Sequence, residues 1–144
     1  MNKTVTLFWF RRDLRLHDHA ALAAACASGN PVQCIFIFDR NILDKLPEKR
    51  DARLLFIHKR LQSIDAELKS AGGSLRTYYG NPKEVWPQVL REFKVDQVYA
   101  SGDYEPYATE RDQSIGDLLS AKGIPFHLVK DQVIFEKSEV VKDD

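Results

Sequence analysis

Two short stretches of this chain concentrate the side chains able to do chemistry. Phe8-Trp9-Phe10 runs straight into Arg11-Arg12-Asp13-Leu14-Arg15, so three aromatic rings precede a dense cluster of charge. Ser101-Gly102-Asp103-Tyr104-Glu105-Pro106-Tyr107 places two carboxylates and two phenols in a small space. Such carboxylates can accept hydrogen bonds from the amide or amino groups of a heterocycle, while the rings offer stacking area. The structural alternative is that Asp103 and Glu105 answer the arginines of the first stretch, since structural ion pairs are commoner than sites. Thr109 and Glu110 read equally well as a helix N-cap and a first-turn acid that complements the helix dipole.

Other chemistries find little support. Paired carboxylates can serve acid–base catalysis, yet no nucleophile or base stands in a matching position. There is no GxGxxG after the first strand-like run, no GxxxxGK[ST] and no GxSxG elbow. His17 and His19 are two apart, His58 and His127 are isolated, and Cys26 and Cys34 lack CxxC spacing, so no metal site is expected. The two cysteines are expected to be lone buried thiols of a reducing compartment.

The elements that must position these stretches alternate between short β-rich runs and longer helical ones. Thr4–Phe10 is the first strand, and Asp18 can cap a helix through Ala20–Cys26 that stops near Gly29-Asn30-Pro31. Residues 32–38 are almost continuously apolar, as in a strand covered on both faces. After a turn around 39–49, Leu54, Ile57, Leu61, Ile64 and Leu68 repeat at three and four and predict the longest helix, ended by Gly72-Gly73. A third strand covers 74–79. Asn81, Pro82 and Glu84 then give a strong helix-start signal before Val85, Trp86, Val89, Leu90 and Phe93. A fourth strand covers 97–101. Thr109-Glu110-Arg111-Asp112 gives a second cap-like signature before a helix using Ile115, Leu118 and Leu119, and 126–130 is a fifth strand.

Five strands joined through four helices should be parallel with right-handed crossovers, which predicts a doubly wound, Rossmann-like α/β sheet in a single domain. Ligands of such sheets bind beyond the carboxyl ends of the strands, where strand order reverses. If the order is 3-2-1-4-5, the loops after the first and fourth strands face each other across that point. If it is 2-1-3-4-5, the partner of the first loop is the third.

Composition narrows the classes further. The chain has 144 residues, 44% of them hydrophobic and 29% charged, which suits one globular domain and argues against disorder. Lys+Arg and Asp+Glu both number 21, so nothing asks for nucleic-acid binding by this domain alone. No apolar run reaches the ~20 residues of a membrane span, and Arg11-Arg12 stands where a signal-peptide cleavage site would be. A cytoplasmic location is expected.

The stretch Phe8-Trp9-Phe10-Arg11-Arg12-Asp13-Leu14-Arg15-Leu16-His17-Asp18, followed by Ala20-Ala21-Leu22, resembles the opening of the DNA photolyase/cryptochrome family. Tyr104-Glu105-Pro106-Tyr107, Glu110-Arg111-Asp112, Lys122-Gly123-Ile124 and Asp131 also fall where that family has them. The resemblance implies an N-terminal α/β antenna domain over 1–131, with 132–144 starting a linker to a larger helical domain that holds FAD. In photolyases that helical domain also binds damaged DNA. Reduced flavin, excited by light, passes an electron to a pyrimidine dimer; the ring splits and the electron returns. The α/β domain commonly holds an antenna chromophore, a methenyltetrahydrofolate or an 8-hydroxydeazaflavin. This domain alone is then expected to be inactive, with its helical partner domain contacting the DNA and no membrane or metal involved.

Carried over position by position, the resemblance implies an antenna site of Arg11, Phe38, Asp39, Ile42, Arg53, Asp103, Glu105 and Glu110. Asp103 and Glu105 match acids that contact a deazaflavin in some members, and Glu110 matches a folate-contacting glutamate in others. Thr109 stands where folate binders often have Asn, and His19 replaces an Asn at a helix start. A light-driven repair lyase, a cryptochrome photosensor and an antenna-free scaffold domain are all compatible with these residues.

Overall fold

The computed structural model describes residues 3–40, 50–102 and 105–130, the side chains of 50–53 excepted. Five strands, β1 (Thr4–Phe10), β2 (Val32–Asp39), β3 (Leu75–Gly80), β4 (Lys94–Ser101) and β5 (Phe126–Val129), alternate with α1 (Ala20–Cys26), α2 (Arg50–Ser70), α3 (Pro82–Glu92) and α4 (Pro106–Ser120). All neighbouring strands are parallel, in the order β3-β2-β1-β4-β5. The order therefore reverses between β1 and β4. Of the two orders compatible with the sequence, the molecule adopts the one that sets the loops after these strands against each other.

Strand alternation sorts the core into two layers. Leu7 and Trp9 of β1, Ile35 and Ile37 of β2, and Val98 and Ala100 of β4 pack with Val85, Trp86 and Val89 of α3 and Ile115 and Leu119 of α4. Phe8, Phe10, Cys34, Phe36 and Phe38 point the other way, onto Ala21, Leu22 and Ala25 of α1 and Leu61 and Ile64 of α2. Side chains on a strand change face at every residue, so a one-residue slip of β1 would exchange its entire contribution to the two layers. Both faces are covered, which is why β1 and β2 read as nearly unbroken apolar runs.

Several local expectations need correction. Helix α1 is capped by His19 rather than Asp18: the His19 Nδ1 accepts from the Leu22 amide at 3.3 Å. Asp18 instead takes a φ of 51°, turning the chain into the helix. Thr109 does not start α4. Pro106 occupies the first helical position, where its missing N–H costs nothing, and the Thr109 amide already bonds the Glu105 carbonyl at 2.9 Å. β4 begins at Lys94, three residues ahead of expectation, in register with Thr4 of β1. Cys26 is exposed at the end of α1, while Cys34 is buried and its thiol is pushed up to about 12, chiefly by desolvation. The Asn81 cap, by contrast, forms as the sequence predicts, accepting from the Lys83 amide at 3.0 Å.

Gly80 joins β3 to α3 with a φ of 143°, and a Cβ there would lie 3.2 Å from Val85 Cγ2. Gly80→Ala should therefore destabilise the fold by roughly 1–3 kcal/mol. Urea unfolding should show a lower midpoint with an unchanged slope; a midpoint equal to that of the parent would mean that the backbone relaxes there at no cost.

Candidate functional site

At the switch point, the guanidinium at the end of β1 closes the gap to β4. Arg11 Nη1 donates to the Ser101 carbonyl at 2.9 Å and to Asp112 Oδ2 at 2.9 Å, and Nη2 donates to Asp112 Oδ1 at 2.6 Å. The ion pair is buried, with 6% and 5% of the two side chains exposed. A planar fork on a carboxylate is the geometry for which arginine is suited. The guanidinium carbon also lies 4.3 Å from the centre of a Trp9 ring. Burial, followed by the neighbouring Arg111 cation, pushes the Arg11 pKa down, and Asp112 works against both.

A second network hangs from the same loop. Asp13 accepts from the Arg11 amide and from Ser101 Oγ, and its Oδ2 lies 2.8 Å from His19 Nε2. Burial opposes ionisation of Asp13, but the hydrogen bonds from His19, Ser101 and the Arg11 amide outweigh it and hold its pKa down at about 2. The first and fourth loops are thus tied at two points, and the carboxylate that answers Arg11 is Asp112 of α4, while Glu105 pairs with Arg12.

On the other side of β1, Phe38 and Asp39 end β2. Phe38 stacks on Tyr79, its register partner on β3, with centroids 4.5 Å apart, and on His58 of α2 at 4.7 Å. Tyr107 donates to Asp39 Oδ2 at 2.7 Å, and Arg111 Nη1 lies 3.8 Å from the same oxygen. Arg111 Nε also reaches Asp112 Oδ1 at 3.3 Å. Asp39 and Arg11 are therefore joined through Arg111 and Asp112.

A cavity of about 330 Å³ opens above these groups, lined by Arg11, Phe38, Asp39 and Glu105 together with Phe56, Tyr107 and Arg111. Four of the eight residues expected for an antenna site thus share one space. Glu105 stands at its mouth, 3.6 Å from Arg12 with both side chains largely in solvent. Glu110 lines a neighbouring cavity of about 300 Å³ with Asn81, Lys83 and Ser114. Tyr107 and Arg111 line both spaces. Ile42, Asp103 and the Arg53 side chain lie outside the described residues. A hollow of about 810 Å³ along β5 is lined by none of the expected residues. Among the described residues no His/Cys/Asp/Glu group could hold a metal ion, and no helix is long and apolar enough to cross a membrane.

Sequence reasoning assigned no site role to Phe56, Arg111 or Asp112. Phe56 carried a signal, being a large apolar residue off the buried stripe of its helix. For Asp112, no local pattern marks a carboxylate that will meet a guanidinium 101 positions away.

Residues 6–144 match the DNA photolyase family. The chain belongs to that family. It is 32% identical over 135 residues to the deoxyribodipyrimidine photo-lyase of Synechococcus sp. (strain ATCC 27144 / PCC 6301 / SAUG 1402/1), covering 94% of this chain and 28% of that protein. Cryptochrome-1 of Gallus gallus is 27% identical over 134 residues, covering 93% of this chain and 21% of that protein. Among solved structures, an archaeal photolyase from Sulfolobus tokodaii with two FAD molecules superposes with a TM-score of 0.82 at 32% identity, over 92% of this chain and 31% of that one. The photolyase/cryptochrome chain thus spans between about a fifth and a third of these relatives, and its five-stranded sheet is the N-terminal α/β domain of the family.

Two outcomes test the site's framework. Asp112→Ala leaves Arg11 buried without its carboxylate, which should cost about 3–5 kcal/mol in equilibrium unfolding; a loss below ~1 kcal/mol would show that the fork is dispensable. Asp13, with its pKa depressed in the folded state, contributes stability that is fully present above pH ~4 and fades as pH falls toward 2. The contribution is roughly 2 kcal/mol. Acid titration of stability should therefore be less steep between pH 4 and 2 in Asp13→Asn than in the parent chain.

Proposed function

We propose that this domain is the light-harvesting-chromophore domain of a deoxyribodipyrimidine photolyase-like protein, whose full-length form repairs UV-induced pyrimidine dimers in DNA using light. The observation that carries the reading is the cavity at the carboxyl ends of β1 and β2, walled by α2 and α4. It brings an aromatic wall, Phe38, together with a buried acceptor, Asp39, and a cationic wall, Arg11 and Arg111. Arg11 Nε is buried and has no hydrogen-bond partner among the described residues. These groups fit a planar heterocycle that carries both N–H and C=O edges.

When bound, such a chromophore supplies light absorption and transfer of excitation energy. The chain's own residues bind and orient it. Phe38 presents a ring held in place by Tyr79 and His58, Asp39 presents a carboxylate fixed by Tyr107, and Glu105 supplies a further acceptor at the mouth; Asp103 is assigned to the site by family resemblance alone. Repair chemistry and DNA contact belong to a C-terminal helical FAD domain, consistent with the balanced charge of this chain.

Both antenna classes expected from the sequence, an 8-hydroxydeazaflavin and a methenyltetrahydrofolate, remain candidates. The Sulfolobus tokodaii relative with two FAD molecules adds FAD as a third. A cryptochrome photosensor is the second reading, supported by the Gallus gallus relative. Light-dependent splitting of the pyrimidine dimer in an otherwise intact oligonucleotide by the full-length protein separates the two.

Fluorescence titration of the purified chain with each of the three compounds tests the domain assignment. One compound should bind saturably, and Asp103→Ala and Glu105→Ala should each weaken it roughly ten- to hundredfold, as for loss of a charged hydrogen bond. Parent-like affinity in both variants would remove the acidic pair from the site. Failure of all three compounds to bind either this chain or the full-length protein would make the domain a scaffold.

A further inference from the structure

Folding does not account for one residue at the mouth of the cavity above β1 and β2. Phe56 lines that cavity while leaving 68% of its surface in solvent. On α2 it stands apart from Leu54, Ile57, Leu61 and Ile64, which pack toward the sheet. Its neighbour Leu55 is also exposed, at 56%, but does not line the cavity. A phenyl ring held in water beside an aromatic-lined space gains by being covered, through apolar burial and through ring-to-ring contact. The cavity, at about 330 Å³, is at the small end of the ~300–1,000 Å³ range of small-molecule pockets. It has room for a fused ring system, with any attached chain left outside.

We propose that Phe56 is a specificity-determining residue of this site: its ring packs on the face of a planar, fused-ring heterocycle seated against Phe38 and Asp39. The inference rests on the chromophore-binding reading above and names the part of the ligand that the cavity selects. Two features support a ring rather than a chain as the occupant. Phe38 is fixed by two stacked neighbours, so the aromatic wall is preorganised. Asp39 is held by Tyr107, so the acceptor that would fix the ring's in-plane orientation has a set position. Phe56 adds apolar contact area and no hydrogen-bonding group, so it favours flat ligands by shape and gives nothing to a charged tail.

The test compares the whole chain with its Phe56→Ala, Phe56→Tyr and Leu55→Ala variants. Each is titrated with 8-hydroxydeazaflavin, methenyltetrahydrofolate and FAD by fluorescence, alongside thermal unfolding. Phe56→Ala should weaken binding of the ring ligand roughly tenfold. Phe56→Tyr should restore parent affinity, Leu55→Ala should leave it unchanged, and all three should keep the parent Tm because both positions are exposed. Parent-like affinity in Phe56→Ala, or an equal loss in Leu55→Ala, overturns the inference while the chromophore reading stands. Absence of saturable binding by the parent chain and by the full-length protein overturns that reading, and the inference falls with it.

Discussion

The buried fork between Arg11 and Asp112 is the constraint on which the rest of the site depends. Strand order reverses between β1 and β4, which pair in register as far as Phe8 and Tyr99. Beyond that pair Arg11 joins the two with a single side chain, bonding the Ser101 carbonyl of β4 and the Asp112 carboxylate of α4 at once. Desolvating both charges is expensive, and the pair is favourable only because the donors are spent on well-placed acceptors. Lysine, a point charge without a planar fork, could not hold the loop and the helix in one register. The position of α4, and so of Tyr107 and Arg111, follows from this contact.

The aromatic triplet before Arg11 works through the same geometry. Trp9 faces the α3/α4 layer, where its indole meets Trp86 with centroids 5.4 Å apart and lies beneath the guanidinium carbons of Arg11 and Arg111, at 4.3 and 5.3 Å. Phe8 and Phe10 face the α1/α2 layer and take His19 edge-on, at 5.0 and 5.9 Å. His19 also caps α1 through Nδ1, and its Nε2 stands 2.8 Å from Asp13 Oδ2. Alternation along one strand therefore supports the cationic network from one side and orders its loop from the other.

Much of this was legible in the sequence, and the boundary between legible and hidden is physical. Apolar periodicity located the strands and helices of the described residues, because burial on two faces writes itself into composition. The Asn81-Pro82 start of α3 was legible because the cap is made within three residues. Helix starts set by distant packing were not. Pro106 moves the start of α4 ahead of Thr109, and the left-handed turn at Asp18 hands the cap of α1 to His19. Strand order was hidden as well, since parallel pairing leaves no mark on hydrophobic pattern. Of the candidate site, Arg11, Phe38, Asp39 and Glu105 came together as expected from family resemblance, while the Asp112 counter-charge and the Tyr107–Asp39 bond needed the fold.

The neighbouring cavities bear on how one helix can serve different ligands across a family. Tyr107 and Arg111 lie one turn apart on α4, so their side chains fall on the same face and form a common wall. Glu110, adjacent in sequence to Arg111, is exposed and lines only the second cavity, with Lys83 and Ser114. The first cavity is aromatic with a buried carboxylate; the second is polar and carries its charges in water. An apolar ring face is rewarded in the first space and a hydrogen-bonding edge in the second, because exposed ionic contacts are screened while stacked area is not. Residues that family resemblance assigns to different antennae are therefore close in sequence but divided by the Tyr107–Arg111 wall. In this chain the side of that wall that holds Phe38 and Phe56 has the aromatic surface.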